Sequence, residues 1–141
     1  MNGGGGRARL VELPEFRDHK RGALAVAACG SQVPFIVRRA FTLYDLPLSA
    51  ERGGHAHHRC EQFVLCAAGA VDLVAEDADG TASFRVDRPT SALYVPPLTW
   101  LTLAPVKVRT VIVVLASDDF DEADYIRDRV AFQALVKARR P

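Results

Sequence analysis

The chain has 141 residues, of which 49% are hydrophobic, and its 18 basic and 17 acidic side chains leave a formal net charge of +1. A chain of this length predicts one domain with a substantial buried core. The balanced charge disfavours a surface for nucleic acid or acidic membranes, and no apolar run reaches the roughly 18 residues of a transmembrane helix.

The chain begins with a glycine-rich stretch that lacks the apolar core of a signal peptide. Four consecutive glycines precede Arg7 and offer no side chains that could be buried. We therefore predict a disordered tail over residues 1–8 and a single domain over residues 9–141.

The cysteines Cys29, Cys60 and Cys66 bear on the compartment in which the protein works. Their odd number and the lack of a C-x-x-C motif disfavour a disulfide framework and indicate the reducing cytoplasm. Cys60 lies beside a cluster of histidines and is an alternative candidate nucleophile. A free cysteine is more often a small buried hydrophobe, however.

Short apolar stretches separated by turn residues occupy most of the chain. We predict strands over residues 9–13, 23–28, 35–44, 62–67, 71–76, 81–86, 92–95, 100–103 and 108–115. Branched and aromatic residues make 35–44 a strong β segment, whereas the alanines of 23–28 leave a helix open. Residues 77–80 predict a hairpin turn, 16–22 a polar turn and 45–54 a loop.

Only the C-terminal end of the chain has a helical pattern. Ile126, Val130 and Ala134 are spaced by four, Asp124 or Asp128 lies near the start, and basic residues lie at the end. About nine short strands and one terminal helix predict an all-β protein, an antiparallel sandwich or barrel.

A histidine cluster, Arg52-Gly53-Gly54-His55-Ala56-His57-His58, is the first candidate site. In an extended strand His55 and His57 point to the same face, whereas His58 points to the other. Imidazole titrates near neutral pH and rarely fills a core by default. A polar histidine-rich loop, or structural histidines bound to backbone carbonyls, are the alternatives.

The pair His55-x-His57, followed by Gln62 and Gly69, resembles the first sequence signature of the cupins, a superfamily of double-sheet jelly rolls. Counting back from Gly69 places Gln62 where an acidic metal ligand is usual, and Glu61 is one residue out of register. The resemblance implies a cupin jelly-roll barrel of antiparallel strands with a short C-terminal helix.

The second cupin signature would supply a further histidine ligand, and here it is degenerate. Pro96-Pro97-Leu98-Thr99-Trp100-Leu101 has leucine at both the glycine and the histidine position. A catalytic metal usually needs three protein ligands and an open position, and glutamine is a poorer ligand than carboxylate. We therefore expect no metal and no other cofactor. Without a metal, a neutral imidazole can remove a proton next to a ketone, and its partner can return a proton to the adjacent carbon.

Further motifs over residues 21–132 closely resemble those of the nucleotide-sugar 3,4-ketoisomerases of deoxysugar biosynthesis. They are Arg21-Gly22-x-Leu24, Pro34-Phe35-x-x-x-Arg39, Arg52-Gly53-x-His55-Ala56-His57, Gln62, Gly69, Leu93-Tyr94-Val95-Pro96-Pro97, Trp100, Val114-Leu115-Ala116-Ser117 and Asp124-Tyr125-Ile126-Arg127. The resemblance implies isomerisation of dTDP-4-keto-6-deoxy-D-glucose to a dTDP-3-keto-6-deoxyhexose through an enediol. It also implies a cytoplasmic homodimer with strands exchanged between subunits.

The same resemblance implies roles for individual residues. His55 would remove the proton at C3 of the sugar, and His57 would polarise the substrate or reprotonate C4. The guanidinium groups of Arg39 and Arg52 could hold the diphosphate. Gln62 is a further candidate for substrate binding, with a hydrogen bond to a histidine or a solvent-facing position as the alternatives. The remaining two candidates, Tyr94 and Trp100, could line the sugar or thymine pocket.

The chain departs from the family pattern at two positions. Phe41 stands where the family often has a tyrosine, so a proton donor is lost, and Tyr44 would face the other side of a regular strand. Ala28 stands where many members have a glutamate. Two other classes of function stay open: a metal-dependent cupin enzyme and a non-catalytic cupin that binds a sugar nucleotide.

Overall fold

A computed structural model of the chain describes residues 6–140 and shows an antiparallel β-sandwich with one C-terminal helix. The strands are β1 Arg9–Glu12, β2 Glu15–Asp18, β3 Gly22–Ala25, β4 Arg39–Leu43, β5 Arg52–His57, β6 Gln62–Ala68, β7 Val71–Asp77, β8 Gly80–Val86, β9 Ser91–Val95, β10 Trp100–Pro105, β11 Val111–Ala116 and β12 Tyr125–Ile126. A 3-10 turn, Glu122–Asp124, precedes β12, and the helix α1 spans Arg129–Ala138. Within this part of the chain no helix is long and apolar enough to cross a membrane.

The strands form two five-stranded sheets that face each other. The first has the order β1-β9-β6-β11-β4 and the second β12-β5-β10-β7-β8, and every paired strand in them is antiparallel. Their inner faces share one apolar core, made of Val64, Cys66, Val71, Leu73, Ala75, Val86, Leu93, Val95, Leu101, Leu103, Ile112 and Val114. The jelly-roll prediction is confirmed, although hydrogen bonds do not close the two sheets into one continuous barrel.

The outer face of each sheet is covered by a different segment of the chain. On the first sheet, Phe63 and Tyr94 pack against Leu13, Val33 and Phe35 of the N-terminal segment. On the second sheet, Trp100 packs with Phe132 and Val136 of α1. The covered strands are therefore buried on both faces, which explains their nearly continuous apolar sequences. At the edge of the second sheet β8 keeps an exposed outer face at Thr81, Ser83 and Arg85.

Several strands differ from the predicted bounds. The segment predicted over 35–44 becomes a strand only at Arg39, because Phe35 leaves the ladder to pack against Tyr94. The polar turn predicted over 16–22 is instead most of a hairpin, in which β2 pairs with β3. Strand β11 begins at Val111 rather than 108, since Arg109 has a φ of 62° and belongs to the preceding turn.

The helix forms where it was predicted, but the residues whose spacing indicated it do not form its buried face. Asp128 caps its N-terminus by accepting hydrogen bonds from the backbone N–H groups of Val130 and Ala131. The buried side chains are Phe132 and Val136, whereas Val130 is 73% exposed. The four-residue spacing selected the solvent side of the helix.

The N-terminal segment contributes contacts of the folded domain before residue 9. Arg7 Nε lies 2.9 Å from Asp77 Oδ2, and Ala8 packs against the shared core. These two residues of the predicted tail therefore have fixed partners. Residues 1–5 of that tail lie outside the described residues.

A close approach of two backbones fixes the start of β5. Gly53 has a φ of 81°, and a Cβ atom placed on it would lie 2.5 Å from the carbonyl oxygen of Leu101 in β10. The ladder between β5 and β10 shifts register here, so that His55 stands directly opposite Leu101. Gly54 has a φ of 73°, but a Cβ there would meet nothing within 4 Å.

The two glycines predict a matched pair of substitutions. Both Gly53→Ala and Gly54→Ala should cost about 1–2 kcal/mol, because both hold a left-handed backbone. Gly53→Ala should cost a further ~1–3 kcal/mol, because its methyl group collides with the backbone of β10. Chemical denaturation followed by circular dichroism would measure both values. Equal losses would show that the two strands are not held as closely as described.

Candidate active site

The two histidines of β5 meet on the inner side of the second sheet. The ring centroids of His55 and His57 are 5.1 Å apart, and their planes are nearly perpendicular at 85°. His57 is buried and His55 is partly buried, whereas His58 is exposed. The alternation of a strand therefore produces the predicted pair of neighbouring imidazoles.

Asp124 binds the second histidine and the turn that follows it. Its Oδ2 lies 3.0 Å from His57 Nδ1, and its carboxylate accepts the backbone N–H groups of Arg59 at 2.8 Å and Cys60 at 3.2 Å. Its carbonyl oxygen accepts the backbone N–H of His58 at 2.9 Å. One aspartate thus holds four consecutive residues of the chain.

The ring of Tyr125 lies against both imidazoles. Its centroid is 4.3 Å from that of His57 and 4.9 Å from that of His55, because β12 pairs with β5 and sets Tyr125 opposite His57. The guanidinium of Arg127 stacks on the tyrosine ring at 4.3 Å, and Phe120 lies 5.6 Å from it. An aromatic and cationic layer therefore covers the histidine pair.

Both imidazoles are held neutral at physiological pH. Burial lowers the pKa of His55 to about 4, with smaller contributions from the neighbouring His57 and from the positive charge of Arg127. Burial also lowers the pKa of His57, although the hydrogen bond and the charge of Asp124 oppose that shift. A neutral imidazole has a free nitrogen lone pair, which a general base requires.

A small cavity of about 80 Å³ lies beside His55 between the two sheets. Its wall includes Arg52, Gln62 and Phe41 together with apolar core residues. Arg39 lies on the same strand as Phe41, at alternate positions, and its guanidinium is 5.4 Å from the ring of Phe41. The structure therefore brings three of the predicted binding residues, Arg39, Arg52 and Gln62, to the histidine side of the sandwich.

The other two predicted binding residues lie elsewhere in this chain. Tyr94 is on the outer face of the first sheet, where its hydroxyl donates to Glu61 Oε1 at 2.5 Å. Trp100 is on the outer face of the second sheet, with its ring 5.5 Å from that of Phe132. Each is one residue away, along its strand, from a side chain that faces the shared core, so alternation points it outward.

A larger cleft of about 510 Å³ opens on the outer surface near Glu61, lined by Pro34, Phe35, Ile36, Arg38, Arg59, Ser117 and Asp118. It contains neither imidazole. Its charged groups already have partners in the protein: Arg59 lies 3.7 Å from Asp118, Arg38 lies 3.8 Å from Asp119, and Glu61 accepts the hydroxyl of Tyr94. We therefore identify the candidate active site by the histidine pair and not by the size of this cleft.

One group of side chains combines the donor types of a metal centre. His57, Cys60 and Asp124 are all buried, and their potential ligand atoms lie within 4.8 Å of one another. Hydrogen bonds already use His57 Nδ1, the Asp124 carboxylate and the Cys60 thiol, however, because the carboxylate accepts three N–H groups and the thiol donates to the carbonyl oxygen of Glu61. This geometry is that of a hydrogen-bonded network around His57, and it also gives Cys60 a structural role.

Sequence reasoning missed the importance of Asp124 and Tyr125. Their motif carried part of the family resemblance, and Asp124 was otherwise interpreted as a possible helix start. The contact with His57 spans 67 positions, so no local spacing could reveal it. The only available signal was that an acidic and an aromatic residue stand together in the motif.

Comparison with known proteins gives a consistent result over nearly the whole chain. The family model described as "FdtA: WxcM-like, C-terminal" matches residues 7–137. The curated TDP-4-oxo-6-deoxy-alpha-D-glucose-3,4-oxoisomerase of Aneurinibacillus thermoaerophilus is 32% identical over 128 residues, which cover 91% of each protein.

Solved structures agree with the sequence comparison. The sugar 3,4-ketoisomerase QdtA of Thermoanaerobacterium thermosaccharolyticum in complex with TDP has a TM-score of 0.89 at 27% identity, covering 94% of this chain and 96% of that one. A histidine-to-asparagine mutant of QdtA in complex with TDP-4-keto-6-deoxyglucose gives the same TM-score and coverage at 26% identity.

The partly buried, neutral His55 predicts a loss of stability in acid. Its pKa is about 4 in the folded chain and has an ordinary value of 6.5, so between these values the unfolded chain binds more protons. Stability should therefore fall as the pH decreases from about 6.5 to about 4. Melting temperatures measured by circular dichroism across this range should depend less on pH in His55→Asn than in the wild type.

The exposed His58 supplies the control, since His58→Asn should keep the wild-type slope. An unchanged slope in His55→Asn would contradict the burial of this imidazole.

Proposed function

The chain belongs to the FdtA family (WxcM-like, C-terminal), and from this premise we propose that it is a 3,4-ketoisomerase acting on TDP-4-keto-6-deoxyglucose. The enzyme class follows from the curated relative and the solved structures, whose names describe TDP-sugar ketoisomerases and oxoisomerases. The substrate follows from the sugar nucleotide bound to QdtA. The product would be a TDP-3-keto-6-deoxyhexose.

The reaction needs proton transfer but no net oxidation. A base removes the hydrogen on C3, which the neighbouring C4 ketone makes acidic. The electron pair forms a C3–C4 double bond, and the C4 oxygen takes up a proton, which gives an enediol. The hydroxyl on C3 then loses its proton as the C3 ketone forms, and C4 gains a proton. Atoms and electrons balance without any redox partner, so positioned general acids and bases are sufficient.

The observation that carries the proposal is the pair of adjacent, neutral imidazoles on β5. We assign proton abstraction to His55, which lines the cavity and whose pKa of about 4 keeps it unprotonated and able to accept a proton. We assign proton return to the pair, with His57 beside it at a ring distance of 5.1 Å. Phe41 in the cavity wall has no hydroxyl, and Tyr44 is 65% exposed, so neither supplies the proton for C4.

Substrate binding is assigned to the residues that share the cavity side. The Nε atom of Arg39 is buried and has no hydrogen-bond partner among the described residues. This guanidinium could therefore donate a hydrogen bond to a phosphate oxygen of the substrate. Arg52 and the buried Gln62 line the cavity and would bind the diphosphate and a sugar hydroxyl, respectively. Tyr94 and Trp100 are assigned to packing on the outer faces instead.

The β2–β3 hairpin supports a homodimer as the working form. It forms a two-stranded sheet separate from the two main sheets, and such a hairpin is marginally stable without other contacts. Phe16 and Leu24 pair across it and are 63% and 61% exposed. We propose that a second copy covers this apolar face, with exchange of N-terminal strands. We also place the reaction in the cytoplasm, because the three cysteines are all unpaired.

The proposed reaction predicts a defined product from purified protein. Incubation of TDP-4-keto-6-deoxyglucose with the wild type should give the 3-keto isomer, detected by proton NMR, and the protein should stay active after dialysis against a chelator. His55→Asn should lower kcat by about 10²-fold to 10⁴-fold, because a positioned general base contributes about that much. His58→Asn, an exposed neighbour, should keep wild-type turnover.

Three results would reject parts of this function. Loss of activity on chelation, restored by a divalent ion, would favour a metal-dependent cupin. Binding of the sugar nucleotide without product would favour a non-catalytic cupin. Full activity in His55→Asn would remove this histidine from the role of base.

The proposed dimer predicts that the hairpin controls oligomeric state. The double substitution Phe16→Ser and Leu24→Ser should shift the protein from dimer to monomer in size-exclusion chromatography with light scattering, because it removes the apolar contact. Val108→Ser provides the control, since Val108 is 67% exposed and belongs to the turn before β11 rather than to the hairpin. A double variant that stays dimeric would place the interface elsewhere.

A further inference from the structure

The two imidazoles differ in their hydrogen-bond partners. His57 has the Asp124 carboxylate at Nδ1 and, among the described residues, no partner at its buried Nε2. His55 is near the backbone of Gly53 and has no carboxylate on its ring in the part of the chain that the structure describes. The two imidazoles therefore differ in what fixes their tautomers. Proton abstraction by His55 does not account for the contact between His57 and Asp124.

We infer that Asp124 is a positioning residue, which holds the Nδ1–H of His57 and so presents Nε2 as the nitrogen that exchanges protons with the sugar. This inference rests on the proposed function, because it assigns a role within the same reaction. His55 lies in the cavity wall, and His57 lies directly behind it at a ring distance of 5.1 Å. Asp124 lies outside the wall and acts on the substrate only through the imidazole of His57.

The tautomer follows from simple donor and acceptor counting. A neutral imidazole carries one N–H, and an ionised carboxylate only accepts hydrogen bonds. At 3.0 Å from the carboxylate oxygen, His57 Nδ1 must therefore be the nitrogen that carries the hydrogen. Nε2 is then left with its lone pair, buried and without a protein partner.

The carboxylate itself is fixed from several directions. Asp124 is only 2% exposed, and the backbone N–H groups of Arg59 and Cys60 donate to its two oxygens. Arg59 Nη1 also lies 3.7 Å from Oδ1. Because these donors belong to a turn of the main chain, the carboxylate cannot rotate away from His57 without breaking them.

The same carboxylate also favours the protonated form of His57. Its hydrogen bond and charge raise the pKa of the imidazole against the effect of burial. When His57 takes up a proton from the reacting sugar, a buried negative charge stabilises the imidazolium that forms. Asp124 would therefore orient the neutral imidazole of His57 and stabilise the imidazolium that forms from it.

Of the other groups around His57, two carry positive charge and oppose its protonation. The positive charges of Arg39 and Arg127 lower its pKa. The His55 and Tyr125 rings lie against it, and the Cys60 thiol lies nearby. Asp124 is the residue among these whose negative charge opposes burial, so its removal should have a definite sign.

The competing explanation is that Asp124 only clamps the turn over residues 58–60. The test is Asp124→Asn, with Asp121→Asn as the matched control. Asp121 is exposed, lies 3.1 Å from Arg59 and caps the 3-10 turn, but does not touch His57. Asparagine caps as well as aspartate, so the control removes a charge near Arg59 and keeps the fold.

Nitrogen-15 NMR of the histidine rings in the ligand-free protein is the first readout. The wild type should show His57 protonated at Nδ1, and Asp124→Asn should lose that preference, since an amide N–H would favour the other tautomer. Wild-type His57 protonated at Nε2, or an Nδ1 tautomer that persists in Asp124→Asn, would overturn the inference. This readout does not depend on activity.

Kinetics provide the second readout. For Asp124→Asn we expect kcat to fall about 10²-fold to 10⁴-fold, as when a histidine loses its orienting aspartate, with KM changed by less than about twofold. The acidic limb of the kcat/KM profile should move to lower pH. Asp121→Asn should change kcat by less than about twofold, because it alters only an exposed ion pair.

A purely structural clamp predicts a different pattern and would contradict the inference: lower activity with an unmoved pH profile and an unchanged His57 tautomer. If Asp124→Asn does not fold, Asp124→Glu keeps the carboxylate and should retain the Nδ1 tautomer with part of the turnover, and its failure to do so would count against the role. If the wild type converts no substrate while the tautomer changes as expected, the proposed function falls but the positioning of His57 by Asp124 stands.

Discussion

A two-residue strand holds the candidate site together. Tyr125 and Ile126 pair with His57 and Ala56, and this short ladder brings Asp124 to the imidazole of His57 and the Tyr125 ring over both histidines. The preceding 3-10 turn is capped by Asp121, so the segment reaches β5 in a fixed orientation. Without this pairing, β5 would still carry two histidines, but their ring orientation and hydration would not be defined.

The sandwich supplies the rest of the site through burial and charge. The inner position of β5 desolvates the histidines and keeps them neutral, while Arg39 and Arg127 add positive charge beside them. On the proposed function, the diphosphate of the substrate would offset part of this charge. Substrate binding would then raise the pKa of the imidazoles towards the operating pH, where general bases are most effective.

The sequence allowed much of the fold to be predicted, because the central strands alternate or run apolar and are separated by turns. The bounds failed where tertiary contacts outweighed local pattern, since Phe35 leaves the predicted strand to pack on Tyr94. The spacing that indicated the helix did not identify the residues that the helix buries, Phe132 and Val136. The adjacency of His55 and His57 followed from strand periodicity. The outward positions of Tyr94 and Trp100 depend on strand register, and the Asp124 contact spans 67 positions, so neither was visible in local spacing.

The central claim is that proton transfer by the paired imidazoles, through an enediol, moves the ketone. The most direct measurement is the hydrogen isotope at C4 of the product when the isomerisation runs in D2O. Imidazole N–H groups exchange with solvent, so transfer through His55 and His57 predicts deuterium at C4 and its loss, with turnover, in His55→Asn. Complete retention of the substrate hydrogen at C4 would indicate direct transfer between the two carbons and would contradict the account.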